Sequence, residues 1–269
     1  MCWALAHRKE CNMKILIISG GRLDTKSVPA LFKKNGMNIK KRGNSSQSSL
    51  LTTSSMGIST ERQGDTTGDS EAGVVIISVD GGLEYCKLCG IQPDYLVGDF
   101  DTIADDILQE YAANPWIQVK RYDPQKDLTD TDAAVNLAIE LIQNNKEPEN
   151  MVYLLGGIGS RMDHTMANIG CLKKTMQAGI PMKIMDEHNC IYGFSQSFRL
   201  YREQLVYQEY LSLLALEQVE GLTIKGMKYE TDHITLSVLE SRGVSNQLEQ
   251  EEAEVEFTSG AVLVVESRD

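Results

Sequence analysis

The sequence predicts two folds in series, an N-terminal α/β domain on a parallel sheet and a C-terminal all-β sandwich. Three observations carry this. Runs such as KILIIS and VVIISV are continuous, mostly β-branched and apolar, and lead toward glycine pairs, as strands buried on both faces do. Helical patterns alternate with them, the signature of right-handed crossovers between parallel strands. After about Asp186 the helices stop, and short strands parted by turn residues take over.

The elements follow in order. Lys14–Ser19 is a strand that runs into Gly20-Gly21, and Val74–Val79 repeats the pattern before Gly81-Gly82. Residues between them, about 36–73, are dominated by Ser, Thr and Gly without periodicity, the composition of a flexible insertion. A short helix at Leu83–Cys89, the strand DYLVGDF and an amphipathic helix across Asp105–Ala113 come next. Trp116–Arg121 reads as a strand. LTDTDAAVNLAIELIQNN is a strong helix, with Val135, Ala138, Ile139 and Ile142 on one face. MVYLLGG at 151–157 is a fourth buried strand, and a glycine loop then leads into a helix that Gly179 closes. Met182–Met185 is one more short strand. These elements make residues 13–185 a Rossmann-like unit. Beyond it, FRLYRE, YLSLLALE, LTIKGMKYE, HITLSVLE, AEVEF and AVLVVES give residues 186–269 the texture of antiparallel sheets, with the boundary between about 185 and 195.

Composition narrows the function classes. In 269 residues, 42% are hydrophobic, enough for a real core. A formal net charge of −12 argues against general affinity for nucleic acid or anionic membrane, which needs clustered Lys and Arg. No run approaches the roughly 18 apolar residues of a membrane span. The start, MCWALAHRKECN, lacks the pattern of a secretory signal, so a cytoplasmic location is expected. Met13 opens MKILIISGG as a natural beginning, which makes residues 1–12 an expected unstructured extension. Six cysteines are too sparse for a disulfide scaffold. Cys86 and Cys89 form CKLC, but without a second pair they read as thiols buried on one helix face.

In an open parallel sheet, ligands bind outside the carboxyl ends of the strands. Four polar loops follow strands here, SGGRLD (19–24), VDGGLE (79–84), VGDFDT (97–102) and LGGIGSRMDH (155–164), and KDLTDTD (126–132) reaches the same end. Asp99 and Asp101 are two apart, so if strand geometry persists they project to one side, about 6.6 Å apart. Magnesium binds through one or two carboxylates and leaves its other positions to water and phosphates. With Asp80, Asp127 and Asp130 arriving nearby, the acids read as a metal–phosphate site rather than a solvated rim. Thr129 and Asp132 have capping-box spacing, so Asp132 is assigned to the helix start, while Asp127 and Asp130 are candidates for metal or general-base work. The glycine turn before Arg161 suits phosphate, because backbone N–H groups and a helix N-terminus meet there. Arg161 adds an anion donor, with Asp163 and His164 directly after; His164 reads equally as a helix-start residue. SGGRLD lacks the dinucleotide fingerprint, which weighs against a dehydrogenase.

VDGG, VGDFDT, KDLTDTD and GGIGSRMDH, in this order and spacing, resemble the bacterial thiamin pyrophosphokinases, as do GLTIKGMKY (221–229) and GVSN (243–246). The similarity covers about residues 13–35 and 74–269. It implies an α/β domain (13–185), a β-sandwich for thiamin binding and dimerisation (186–269), a homodimer with the site at its interface, and Mg²⁺-dependent pyrophosphate transfer from ATP to thiamin. By matching motif, Asp80, Asp99, Asp101 and Asp130 hold Mg²⁺ and nucleotide phosphates, with Asp99, Asp101 and Asp130 as the metal set. Asp80, Gly81, Gly82, Thr129, Gly157, Arg161, Asp163 and His164 border the phosphates, and Ser245 and Asn246 contact the thiamin pyrimidine. Asp99, Asp101, Asp127 and Asp130 form the catalytic set. The insertion at 36–73 departs from the family pattern, and SNQLEQEEAEVEF offers no aromatic for thiamin before Phe257. Two other readings compete: a metal-dependent nucleotide pyrophosphohydrolase, and a nucleotide-binding protein without turnover.

Overall fold

The computed structural model describes residues 13–37, 39, 73–123, 127–145 and 149–269. The expected extension at 1–12 and nearly all of the expected insertion at 36–73 lie outside these residues. Met37 does not behave as insertion: it is buried, and its N–H donates to the Phe32 carbonyl.

At the centre are β1 (Met13–Ile18), β2 (Gly73–Val79) and β5 (Asn150–Leu155), with β1 parallel to both neighbours. Ile15 to Ile18 are all but fully buried, and the period of two sends alternate residues to opposite faces. Leu16 and Ile18 join a core formed with α1 (Val28–Lys34), α2 (Gly82–Cys89), α3 (Asp105–Ala112) and the C-terminal strands. Ile15 and Ile17 pack instead against α4 (Asp130–Asn144) and α5 (Met162–Gln177). A continuous apolar run is therefore required, because neither face of this strand meets water. On α2, Cys86 is fully buried, while Cys89 is only half-buried against the expectation of two buried thiols. The α5 helix ends as expected, with Gly179 at φ +71° and the Ile180 N–H bonded back to Thr175.

The strands β3 (Tyr95–Gly98) and β4 (Gln118–Arg121) extend the parallel part on one side, and β6 (Met182–Met185) on the other. Trp116, expected to start β4, stands 65% exposed outside it. The remaining strands are β7 (Asn189–Phe194), β8 (Phe198–Tyr201), β9 (Tyr210–Lys225), β10 (Thr231–Leu236), β11 (Glu252–Glu256) and β12 (Ser259–Ser267). The strand path runs β4-β3-β2-β1-β5-β6-β7-β12-β9-β11-β8, with β10 paired to β9.

Two differences from the sequence reading matter. The reading assigned no strand to NCIYGF, yet β7 pairs antiparallel with β6 and with β12, so hydrogen bonding continues past residue 185 without an edge. YLSLLALE and LTIK, expected as two strands, are one 16-residue strand. Its first half pairs with β12 and its second with β10 and β11. The result is a mixed α/β protein with one large sheet. No helix among the described residues is long and apolar enough to cross a membrane.

Candidate active site

The carboxyl ends of β1, β2 and β5 and the first turn of α4 surround a cleft of about 1020 Å³. Its walls come from Ser19–Arg22, Asp80, Thr129–Thr131 and Gly156–Arg161, so four of the five expected segments meet in it through several residues and VGDFDT reaches it through Thr102. The first and last glycine loops interlock. The Gly21 N–H donates to the Gly156 carbonyl at 3.0 Å, and the Arg22 N–H to Ile158 at 3.1 Å. A Cβ on Gly21 would stand 2.2 Å from the Gly156 oxygen, so close backbone approach requires glycine there.

Asp80, Asp99 and Asp130 each offer a carboxylate oxygen, all within 4.8 Å of one another, and Asp80 and Asp130 line the cleft. Asp80 leaves β2 at φ +40°, and its Oδ1 accepts from the Phe100 N–H at 3.3 Å. That carboxylate occupies the space where a Cβ of Gly98 would lie. Burial, then the hydrogen bond and charge of Asp130, push the Asp80 carboxyl up to about 7, with Phe100 opposing and Asp99 adding to the rise. Three acids this close repel unless a proton or a cation sits among them.

Asp101 lies outside this set. Strand geometry stops at Gly98, and Phe100 adopts φ +64°, so Asp99 and Asp101 occupy a turn in which the Asp101 N–H donates to Asp99 Oδ1 at 3.2 Å. Asp101 is exposed, its carboxyl raised chiefly by the neighbouring Asp99 charge. The third corner of the cluster is Asp80, not Asp101. Asp127 is exposed and does not line the cleft.

Thr129 caps α4 by accepting from the Asp132 N–H at 3.1 Å, half of the expected capping box. The other half is absent: the Asp132 carboxylate pairs with Lys174 of α5. Ser19 and Thr131 share a buried hydrogen bond of 3.0 Å that ties β1 to the same helix start and so fixes Asp130.

Gly81 and Gly82 open α2 against β1, where a Cβ on Gly82 would stand 2.0 Å from the Ile18 oxygen. Gly157 is buried in the β5–α5 loop. Arg161 and Asp163 form an exposed ion pair at 2.6 Å, which raises the arginine and lowers the carboxyl, and His164 lines the cleft beside them. Ser245 and Asn246 do not line it. Asn246 is buried, its amide engaged with the backbone of Tyr229 and Gln247, and Ser245 is held at φ +57° by its N–H bond to Ser212.

Sequence reading passed over two groups. Asn168 and Thr165 brace the glycine loop, Asn168 through Gly157 at 2.7 Å and Thr165 through the Gly159 N–H at 3.4 Å. Their spacing from Arg161, one and two helical turns, was the available signal. The turn Asp186–His188 also lines the cleft. It became legible only with β7.

The fold and site define an α/β protein of the phosphate-handling class: clustered carboxylates share the carboxyl edge of a parallel sheet with glycine backbone and a guanidinium. Family models then specify it. One described as "Thiamin pyrophosphokinase, catalytic domain" matches residues 70–184, and one described as "Thiamin pyrophosphokinase, vitamin B1 binding domain" matches 197–262. The chain belongs to the thiamin pyrophosphokinase family, the family its ordered motifs resemble. It is similar to the thiamine pyrophosphokinase of Bacillus subtilis, 28% identical over 208 residues that cover 76% of this chain and 92% of that one. It is 24% identical to thiamin pyrophosphokinase 1 of Caenorhabditis elegans, over 65% of this chain and 70% of that one. In fold it is similar to the crystal structure of thiamine pyrophosphokinase from Bacillus subtilis, with TM-score 0.69, 22% identity, and 95% and 99% of the two chains covered. It is also similar to that of thiamin pyrophosphokinase from Candida albicans, with TM-score 0.69, 18% identity, and 96% and 90% covered.

Proposed function

We propose that this protein transfers pyrophosphate from ATP to the hydroxyl of thiamin, yielding thiamin diphosphate and AMP, with Mg²⁺ as the metal. The observation that carries this reading is that Asp80 and Asp130 line one cleft with the Gly156–Arg161 loop, while Asp99 offers a carboxylate oxygen within 4.8 Å of theirs.

The residues fit the metal. Three carboxylate oxygens within 4.8 Å are a hard-oxygen donor set, and burial together with the neighbouring Asp130 raises the Asp80 carboxyl, as expected of acids crowded at one point. Asp80, Asp99 and Asp130 would hold Mg²⁺, which when bound neutralises phosphate oxygens as charge develops on them. The chain does the positioning. Backbone N–H groups of the 156–161 loop and the start of α5 meet the phosphates, and Arg161 exchanges Asp163 for phosphate oxygens. The thiamin hydroxyl then attacks the β-phosphorus in line and AMP departs, with orientation and electrostatics supplying most of the acceleration. Of the two aspartates considered for the hydroxyl proton, Asp130 lines the cleft and Asp127 does not.

Residues 186–269 form the thiamin-binding unit of this reading, arranged as a sandwich and dimerising. Ser245 and Asn246 lie within the matched vitamin B1 segment but away from their own chain's cleft, which fits delivery to the site of a second copy. Tyr229, Val238, Leu239 and Val244, all largely exposed and near them in sequence, suit such an interface.

Incubation with ATP, Mg²⁺ and thiamin, followed by chromatography of AMP and thiamin diphosphate, tests the reading. Asp99→Asn is expected to stay folded and lose product. Retained activity would remove the metal role from Asp99, and AMP release without thiamin would point to a hydrolase.

A further inference from the structure

We propose that Glu187, on the turn between β6 and β7, recognises the nucleoside by accepting a hydrogen bond from a ribose hydroxyl. The inference rests on the nucleotide reading above and extends it to the far end of the cleft.

The turn is built, not loose. Asp186 Oδ1 accepts from the N–H groups of His188 at 2.8 Å and Asn189 at 2.6 Å. The Tyr207 hydroxyl donates to the Asp186 carbonyl at 2.6 Å. Arg268, at the end of the chain, donates from Nε to the Glu187 carbonyl at 2.9 Å and from its backbone to His188 at 3.0 Å. Three segments of the fold thus hold the backbone of a turn that lines the cleft.

On this braced turn the Glu187 side chain is the exception. Its Oε2 is out of contact with solvent and has no hydrogen-bond partner. Buried polar atoms are rarely left so, and one in the wall of a binding cleft marks a donor that arrives with the ligand. An ionised carboxylate only accepts, so the ligand group must carry O–H or N–H.

Position selects the hydroxyl. The strand order β2-β1-β5-β6 puts the turn three strand spacings from Asp80, about 14 Å. The acidic cluster and the glycine loop take the phosphates in between, so the sugar reaches β6. In dinucleotide-binding α/β sheets an acidic side chain likewise accepts from a ribose hydroxyl, there from a different strand end.

Calorimetric titration with ATP, 2′-deoxy-ATP, 3′-deoxy-ATP and ITP tests this, on the wild-type protein, Glu187→Ala and Glu187→Gln with Mg²⁺ present. Wild type is expected to bind at least one deoxy analogue about tenfold or more weaker than ATP, the worth of a charge-assisted hydrogen bond. Glu187→Ala should bind ATP as weakly as that analogue and lose the discrimination, while Glu187→Gln, which still has an acceptor, keeps part of it. Because the turn uses no Glu187 side-chain bond, the thermal midpoint should not move. Equal discrimination in wild type and Glu187→Ala overturns the proposal. So does a loss in Glu187→Ala that ITP alone reproduces, which would assign the contact to the base amino group. Failure of the wild-type protein to bind ATP at all would count against the nucleotide reading instead.

Discussion

Replacing Gly98 by alanine tests the geometry on which the proposed metal site depends. The new Cβ would lie 1.8 Å from Asp80 Oδ1 and 2.6 Å from its Cγ. Ordinary contact needs about 3.5 Å, so the carboxylate must retreat by roughly 1.7 Å or the β3 end must shift. Either movement breaks the hydrogen bond from Phe100 and pulls Asp80 away from Asp99 and Asp130. Misplacement of about 1 Å at a reacting centre can cost about 100-fold in rate, or about 2.7 kcal/mol of transition-state stabilisation. Alanine at φ +151° adds backbone strain of about 1–3 kcal/mol to the folding equilibrium. The expected outcome is a kcat/KM for thiamin diphosphate formation lowered about 100-fold, with a lower urea midpoint. In Asp80→Ala the obstructing atoms are gone, so adding Gly98→Ala should cost less stability than it does in wild type. A Gly98→Ala enzyme within about threefold of wild-type rate would refute the reasoning, since it would mean that Asp80 need not sit where it does.

Three further predictions concern the same site. The Asp80 carboxyl is raised in the folded protein to about 7, so its contribution to the stability of the metal-free protein is complete below pH 3.8 and is lost as pH rises through about 7. If Mg²⁺ binds as proposed it displaces that proton, so affinity measured by titration should fall about tenfold per unit below pH 7 and level off above pH 8; equal affinity at pH 6 and 8 contradicts this. Thr129→Ala should cost about 1 kcal/mol in urea unfolding by removing the cap on α4, with Thr129→Ser near wild type. Asn168→Ala leaves the buried Gly157 carbonyl without its donor at a cost of about 1–3 kcal/mol, and should raise KM for ATP more than KM for thiamin in steady-state kinetics.

Much of the architecture was legible because burial writes itself locally. A strand covered on both faces must be mostly apolar, and KILIIS and VVIISV are; Thr129 three residues before Asp132 marks a helix start, and Thr129 caps it. The acidic and glycine-rich strand ends likewise marked segments that meet at the cleft. Strand pairing, by contrast, depends on distant partners. NCIYGF became a strand because β6 and β12 flank it, and β9 stayed continuous because successive partners cover its two halves.

The chain's residues alone therefore determined that aspartates, glycines and an arginine would gather at one sheet edge. Tertiary structure decided which aspartates. A left-handed Phe100 turned Asp101 outward, while glycine at 98 left room for Asp80 to reach across from the neighbouring strand. It also sent the Asp132 carboxylate to Lys174 and carried the Asp186–His188 turn to the cleft. The physical reason is range: periodicity and capping act over a few residues, whereas carboxylate convergence follows strand order and backbone clearance between segments remote in sequence.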